Sequence, residues 1–220
     1  MWKKAGNFIL EILFPQFCFN CGIEGTYLCE DCKSILEITG FHQKYSASNL
    51  KDLYFALSYD NPLSKKLIQI FKCEPFVKEL TRPLSSLIIA HFQLMDNKPD
   101  FSGFLIIPVP LGKRRMKWRG FNQSREIVEE LASSSGLGLK VLSNILIKTK
   151  ETLPQVELSD EERKKNIKGV FFCQNQEKIR SKKILLVDDV YTTGATMAEC
   201  ARILRESGAK EIIGIAIARG

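Results

Sequence analysis

A chain of 220 residues, 45% hydrophobic and 26% charged, has the make-up of a globular protein with one main domain and room for a small appendage. No apolar run approaches the ~18 residues of a membrane span, so stable membrane insertion is not expected. A formal charge of +7 with a pI near 9.0 favours polyanionic partners, phosphorylated ligands or nucleic acid, without requiring them.

The N-terminal "MWKKAGNFILEILF" resembles a signal peptide only at first sight. Glu11 interrupts the apolar run and no small-residue cleavage site follows, so a short amphipathic helix packing on the body is expected. Next comes "CFNCGIEGTYLCEDC", where Cys18 and Cys21 form one CxxC and Cys29 and Cys32 another, seven residues apart. Four thiolates in two such pairs suit one tetrahedral zinc with no open position, a metal that holds a fold. Two disulfides or a redox pair are the alternative uses of these thiols. The odd total of seven cysteines fits a reducing cytoplasm better than a secreted disulfide framework.

From about 40 to 100, "LYFALSYD" alternates as a strand does, while "PLSKKLIQIFK" and "FVKELTRPLSSLIIAHFQLM" have helical spacing. Pro62 suits a helix start. His42, His91, Cys73 and Cys173 are isolated, and ordinary packing or exposure is expected of each.

The remainder alternates strand and helix: the strand "FLIIPVP", the helix "NQSREIVEELASSSG", the strand "KILLV", the helix "TMAECARILRESG" and the strand "EIIGIAIARG". A continuous apolar run such as "KILLV" is buried on both faces of a parallel sheet. Together these predict an α/β fold, a mostly parallel sheet with flanking helices. The residues from Asp188 to Thr193 are expected as the loop at the carboxyl end of "KILLV", the edge where open α/β sheets bind ligands. A helix N-terminus there favours phosphate, with hydroxyls from Thr192, Thr193 and Thr196 and close backbone approach at Gly194. Neither a nucleoside-triphosphate loop nor a dinucleotide fingerprint is present. Two carboxylates beside a phosphate make sense when the ligand also carries hydroxyls or a magnesium ion, and a phosphorylated ribose combines these.

The stretch "LLVDDVYTTGAT" resembles the phosphoribosyl-diphosphate (PRPP) signature of type I phosphoribosyltransferases. The CxxC…CxxC cluster, "PVPLGKRRMKWRGFNQS" and "LPQVELSDEERKKNIKGVF" narrow the resemblance to ComF-type competence proteins along most of the chain. The resemblance implies a zinc-binding module on a phosphoribosyltransferase domain, with boundaries expected at 1–45 and 46–220. It also implies a link to natural transformation and to incoming single-stranded DNA on the cytoplasmic side. Carried over, Asp188 and Asp189 face the ribose hydroxyls, and Val190, Tyr191, Thr192, Thr193, Gly194, Ala195 and Thr196 form the 5′-phosphate loop. Arg115, Arg119, Asn122 and Gln123 match the arginine-rich segment, and Arg163 and Asn166 the later pattern. Gly112 stands where the family often has a histidine, so no role of that histidine carries over.

The segment from Lys113 to Arg125, with Arg114, Arg115, Lys117 and Arg119, contains no acid and is expected as a basic loop at the ligand edge. It suits the pyrophosphate of PRPP, or single-stranded DNA with Trp118 stacking on bases, or both. The chain stops at Gly220 directly after a strand, so a hood over the acceptor is expected from 40–100 or from the cysteine module. Three functions remain at this stage: PRPP-dependent transfer to an unidentified base or amine, a competence factor handling single-stranded DNA, and a zinc-dependent adaptor docking a DNA-uptake helicase or channel.

Overall fold

The computed structural model describes residues 15–45, 49–152 and 160–220, with the side chains of 160, 161, 163 and 164 excepted. The expected N-terminal amphipathic helix and most of the "LPQVELSD" stretch lie outside the described residues.

The core is a six-stranded sheet. Its strands are β1 (Gln43–Lys44), β2 (Asp52–Ser58), β3 (Phe104–Pro108), β4 (Lys140–Val141), β7 (Lys183–Tyr191) and β8 (Glu211–Arg219), in the order β1-β2-β8-β7-β3-β4. All pairings are parallel except that of β1 with β2. A separate antiparallel pair joins β5 (Leu146–Lys148) to β6 (Phe171–Cys173).

The apolar runs behave as strands buried on both faces. In β7, Leu185 and Val187 enter one core while Ile184 and Leu186 enter the other; in β8, Ile213, Ile215 and Ile217 oppose Ile212 and Ala216. Each fully buried aliphatic side chain of this kind contributes ~1.5–3 kcal/mol, which fixes the register of the two central strands. The first core is covered by α2 (Pro62–Lys72), α3 (Thr81–Leu94) and α5 (Gln123–Ser134), the second by α7 (Ala195–Glu206) and the β5–β6 pair.

Local signals set the helix ends. The Asn61 carboxamide oxygen accepts from the N–H groups of Leu63 and Ser64, and Pro62 occupies the first turn of α2. The helix stops at Lys72 because Cys73 is extended. The short helix α1 (Glu30–Ser34) carries Cys32. Cys18, Leu28, Cys32 and Leu36 lie in the same apolar cluster as α2 and α3, and Lys66 of α2 donates to the Phe19 carbonyl. The cysteine segment is therefore packed onto the sheet domain.

Two expectations are corrected. The segment after "FLIIPVP" is a helix, α4 (Lys113–Arg119), closed by Gly120 at φ 79°. Its residues are good helix formers between two glycines, but it is polar nearly all round and shows no apolar period. The acid pair is not in a loop either, because β7 continues to Tyr191. The long partner β8 keeps pairing, Asp188 with Ala216 and Tyr191 with Arg219, so the loop proper is only Thr192–Gly194.

Candidate functional site

Asp188 and Asp189 end β7 side by side and are held differently. The Asp188 carboxylate accepts from the Ser124 hydroxyl (3.0 Å) and from the Asp189 N–H (2.9 Å). Asp189, 5% exposed, accepts from the Val190 N–H (2.8 Å) and from Lys72 Nζ (3.1 Å). Burial, then the neighbouring charge of Asp189, pushes the Asp188 carboxyl up to about 7. Two adjacent carboxylates cannot both ionise cheaply out of water, and among the described residues Lys72 is the cation that meets them, in its ion pair with Asp189.

Beyond the acids, Thr192, Thr193 and Gly194 lead into α7. Gly194 has φ 73°, which a side chain rarely adopts, and an ideal Cβ there would lie 2.2 Å from the Tyr191 hydroxyl. The Tyr191 ring thus lies against the glycine, and its hydroxyl accepts from Tyr45 (2.9 Å). At the start of α7 the Ala195 N–H is met by the Thr193 hydroxyl at 3.4 Å. The arrangement of a short hydroxyl-bearing turn at the N-terminus of a 12-residue helix suits an anion.

Across the cleft, α4 divides its cations between two sides. Arg115 and Arg119 line the same cleft as Asp188, Asp189 and the threonine turn. Lys113, Arg114, Lys117 and Trp118 are exposed, Trp118 by 58%. The spacing explains this: positions 115 and 119 are one helical turn apart and share a face. Arg119 donates to Gln123 Oε1 (3.1 Å), while its buried Nε has no hydrogen-bond partner among the described residues. Burial, and repulsion from Arg115 opposing the pull of Asp189, bring its guanidinium below the usual range. An orphaned donor and crowded cations fit an incoming anion. Arg163 falls in α6 (Asp160–Ile167), and its side chain lies outside the described residues.

Sequence reasoning missed two cations. Lys72 reaches Asp189 from the end of α2, and Lys148 of β5 lines the cleft, where burial and then Arg115 lower its ammonium. Neither stands in a recognisable motif. The available signal for Lys72 was a lysine closing an amphipathic helix just before a turn. The segment 40–100 contributes β1, β2, α2 and α3 to the body, and among its described residues Lys72 and Tyr45 reach this region.

The "NQS" triplet ties the parts together. Asn122 donates to the Val109 carbonyl (3.0 Å), Gln123 to the Phe71 carbonyl (3.2 Å), and Ser124 to Asp188.

The four N-terminal cysteines converge, their sulfur atoms all within 4.8 Å of one another. Zn–S bonds of about 2.3 Å in a tetrahedron put sulfurs roughly 3.8 Å apart, and Cys21 and Cys29 stand at 3.6 Å. None is in a disulfide. Although burial opposes it, N–H groups of Cys21, Cys29 and Asn20 bring Cys18 down to about 6. The Asn20 amide donates to Cys32 (3.2 Å), yet burial and the neighbouring sulfurs push Cys32 up to about 12. Such a set cannot ionise fully without a cation in its centre, and the donors fit structural zinc.

Comparison with known proteins places this geometry. Competence protein F of Haemophilus influenzae is 32% identical over 203 residues, which cover 90% of this chain and 82% of that one. The chain belongs to the competence protein F family. A model of the phosphoribosyl transferase domain matches residues 121–220, from the start of α5 through the acid pair to β8. Competence protein ComFC of Bacillus subtilis is 31% identical over 105 residues, 48% of this chain and 40% of that one. The DNA utilization protein YhgH of Escherichia coli K12 is 37% identical over 107 residues, 49% of this chain and 45% of that one. A phosphoribosyltransferase-type sheet is here joined to a four-cysteine cluster. No helix among the described residues is long and apolar enough to cross a membrane.

Proposed function

We propose that this competence protein F family member binds PRPP with magnesium in the cleft at the end of β7 and handles incoming single-stranded DNA during uptake, on the cytoplasmic side. The observation that carries the reading is the convergence of the acid pair, the threonine turn, Arg115 and Arg119 on one cleft. A ribose 5-phosphate group placed on Thr192–Thr196 brings its hydroxyls to Asp188 and Asp189. The 1-diphosphate then lies toward Arg115, Arg119 and Lys148. Magnesium, when bound, neutralises diphosphate charge, and the hard oxygens of Asp188 and Asp189 suit its neighbourhood. In the transfer reading, the bond from C1 to the diphosphate breaks as an acceptor attacks. The cations stabilise the departing diphosphate and the acids the positive charge developing on the ribose.

The DNA part of the reading is supported by the other side of α4. Lys113, Arg114 and Lys117 offer phosphates three exposed charges, and Trp118, edge-on to Phe76 at 4.9 Å, offers a stacking surface. Splitting the cations between two sides lets PRPP and DNA be held by one helix without competing for the same arginines. The cysteine cluster is read as structural zinc, with residues 1–45 as its module and a helicase or channel protein of DNA uptake as its partner.

The test is thermal unfolding with and without PRPP and magnesium. Ligand at about 100 times its dissociation constant is expected to add ~2.7 kcal/mol of stability. No shift at millimolar PRPP sinks the phosphoribosyl reading.

A further inference from the structure

We propose that Lys72 is a specificity-determining residue that makes the cleft select a ribose carrying a 1-diphosphate over one carrying only a 5-phosphate. The inference rests on the phosphoribosyl reading above and deepens it.

Lys72 Nζ is 3.1 Å from Asp189 Oδ1, and the Asp189 side chain is 7% exposed. The ion pair engages Oδ1 of the carboxylate that the ribose hydroxyls need and offsets its charge. Lys72 lines the same cleft as Arg115, Arg119 and Lys148, so its ammonium already lies on the side where the diphosphate is expected. Arg119 repels it and the acid pair attracts it, so only an added anion beside Arg119 would draw it off the acids. Its anchor is firm. The Phe71 carbonyl next to it accepts from Gln123, and the Cys73 N–H closes the helix on Gln69. The long side chain is left to choose between two anions.

Ribose 5-phosphate puts its charge on the threonine turn and offers Lys72 nothing. To displace Lys72 its hydroxyls must break an ion pair whose carboxylate is buried although the lysine is partly exposed, which leaves the buried carboxylate poorly compensated. A ribose 1-diphosphate supplies a replacement anion, so Lys72 swings from Asp189 to the diphosphate and the acid is freed in the same event. The pair thus acts as a lock that only the doubly phosphorylated sugar opens.

The experiment is calorimetric titration of PRPP and of ribose 5-phosphate, at fixed magnesium, into wild type, Lys72→Met and Lys72→Arg, with urea denaturation to establish that each is folded. Lys72→Met is expected to bind PRPP at least about tenfold more weakly and ribose 5-phosphate as well as or better than wild type, which collapses the preference by ten or more; that factor corresponds to about 1.4 kcal/mol. Lys72→Arg is expected to keep most of the preference. If the methionine variant does not fold, Lys72→Gln carries the same expectation. An equal loss for both sugars, or an unchanged ratio, overturns the role of Lys72 while leaving the site intact. A wild type that binds neither sugar overturns the phosphoribosyl reading and this one with it.

Discussion

Replacing Asp188 by Asn is expected to stabilise the empty protein and weaken its ligand binding at the same time. The carboxyl is pushed to about 7 by burial and by Asp189, against 3.8 for an unperturbed group. Its folded value therefore lies above its unfolded value. Between about pH 4 and 7 the folded state holds a proton that the unfolded chain has released, so stability falls as pH rises through that window. The penalty is fully present above about 7. Three units at ~1.36 kcal/mol each set a ceiling of ~4 kcal/mol, and a half-buried group coupled to Lys72 and Asp189 is expected to show about 1–2 of it. Asn keeps an oxygen for the Ser124 hydroxyl and the Asp189 N–H but carries no charge. In urea denaturation, the variant is expected to exceed wild type by about 1–2 kcal/mol at pH 8 and to match it near pH 4.5. Taking the difference between the two proteins cancels the titrating groups that are not coupled to Asp188. PRPP affinity should fall about ten- to a hundredfold for the loss of one charge-assisted bond, while inorganic phosphate binds at least as well. A variant destabilised equally at all pH values, or one that binds PRPP with wild-type affinity in magnesium, refutes the reasoning.

Metal analysis should find one zinc per chain, and Cys29→Ser should release it. Because Cys18, Leu28 and Cys32 belong to the core that covers α2 and α3, the variant is also expected to lose some stability of the sheet domain, read as a lower urea midpoint. The two sides of α4 should separate by mutation. Arg115→Ala and Arg119→Ala weaken PRPP more than DNA, whereas Lys117→Ala and Trp118→Ala weaken single-stranded DNA and leave PRPP within about twofold in calorimetry. Filter binding should show DNA affinity falling steeply with added salt as counterions are released; an affinity indifferent to salt removes α4 from the DNA surface.

Most of the scaffold was legible because its strands are unambiguous. "KILLV" and "EIIGIAIARG" carry apolar side chains for both faces, and only the centre of a parallel sheet asks for that. The acid pair and the threonine turn stood out because glycine, hydroxyls and acids occur together, and the structure sets them along one cleft. What the sequence hid was of two kinds. The seven residues of α4 have no apolar stripe, so nothing in their periodicity distinguishes a helix from a charged loop, and which arginines turn inward depends on that helix. Lys72 was hidden for a different reason. It is an ordinary lysine at a helix end, and only the crossing of α2 beside β7, 117 residues away in the chain, sets it against Asp189. The length of β7 was underestimated because the pairing of Tyr191 is decided by β8, not by β7 itself.

The first turn of α5 shows why the fold and the cleft are hard to separate. Gln123 is 2% exposed and Ser124 4%, depths at which polar side chains persist only when bonded. Each of the three residues in "NQS" spends its hydrogen bonds on a different element: Asn122 on the end of β3, Gln123 on α2 and on Arg119 of α4, Ser124 on Asp188 of β7. Gln123 donates with its nitrogen to the residue beside Lys72 and accepts with its oxygen from Arg119, so one amide sets the distance between the helix end that carries Lys72 and the Arg119 guanidinium. An apolar replacement would pack in the same space and leave both the Phe71 carbonyl and another guanidinium nitrogen unmet. The polar triplet thus carries information that an apolar core could not: it holds four separate elements in the one arrangement in which their charges converge.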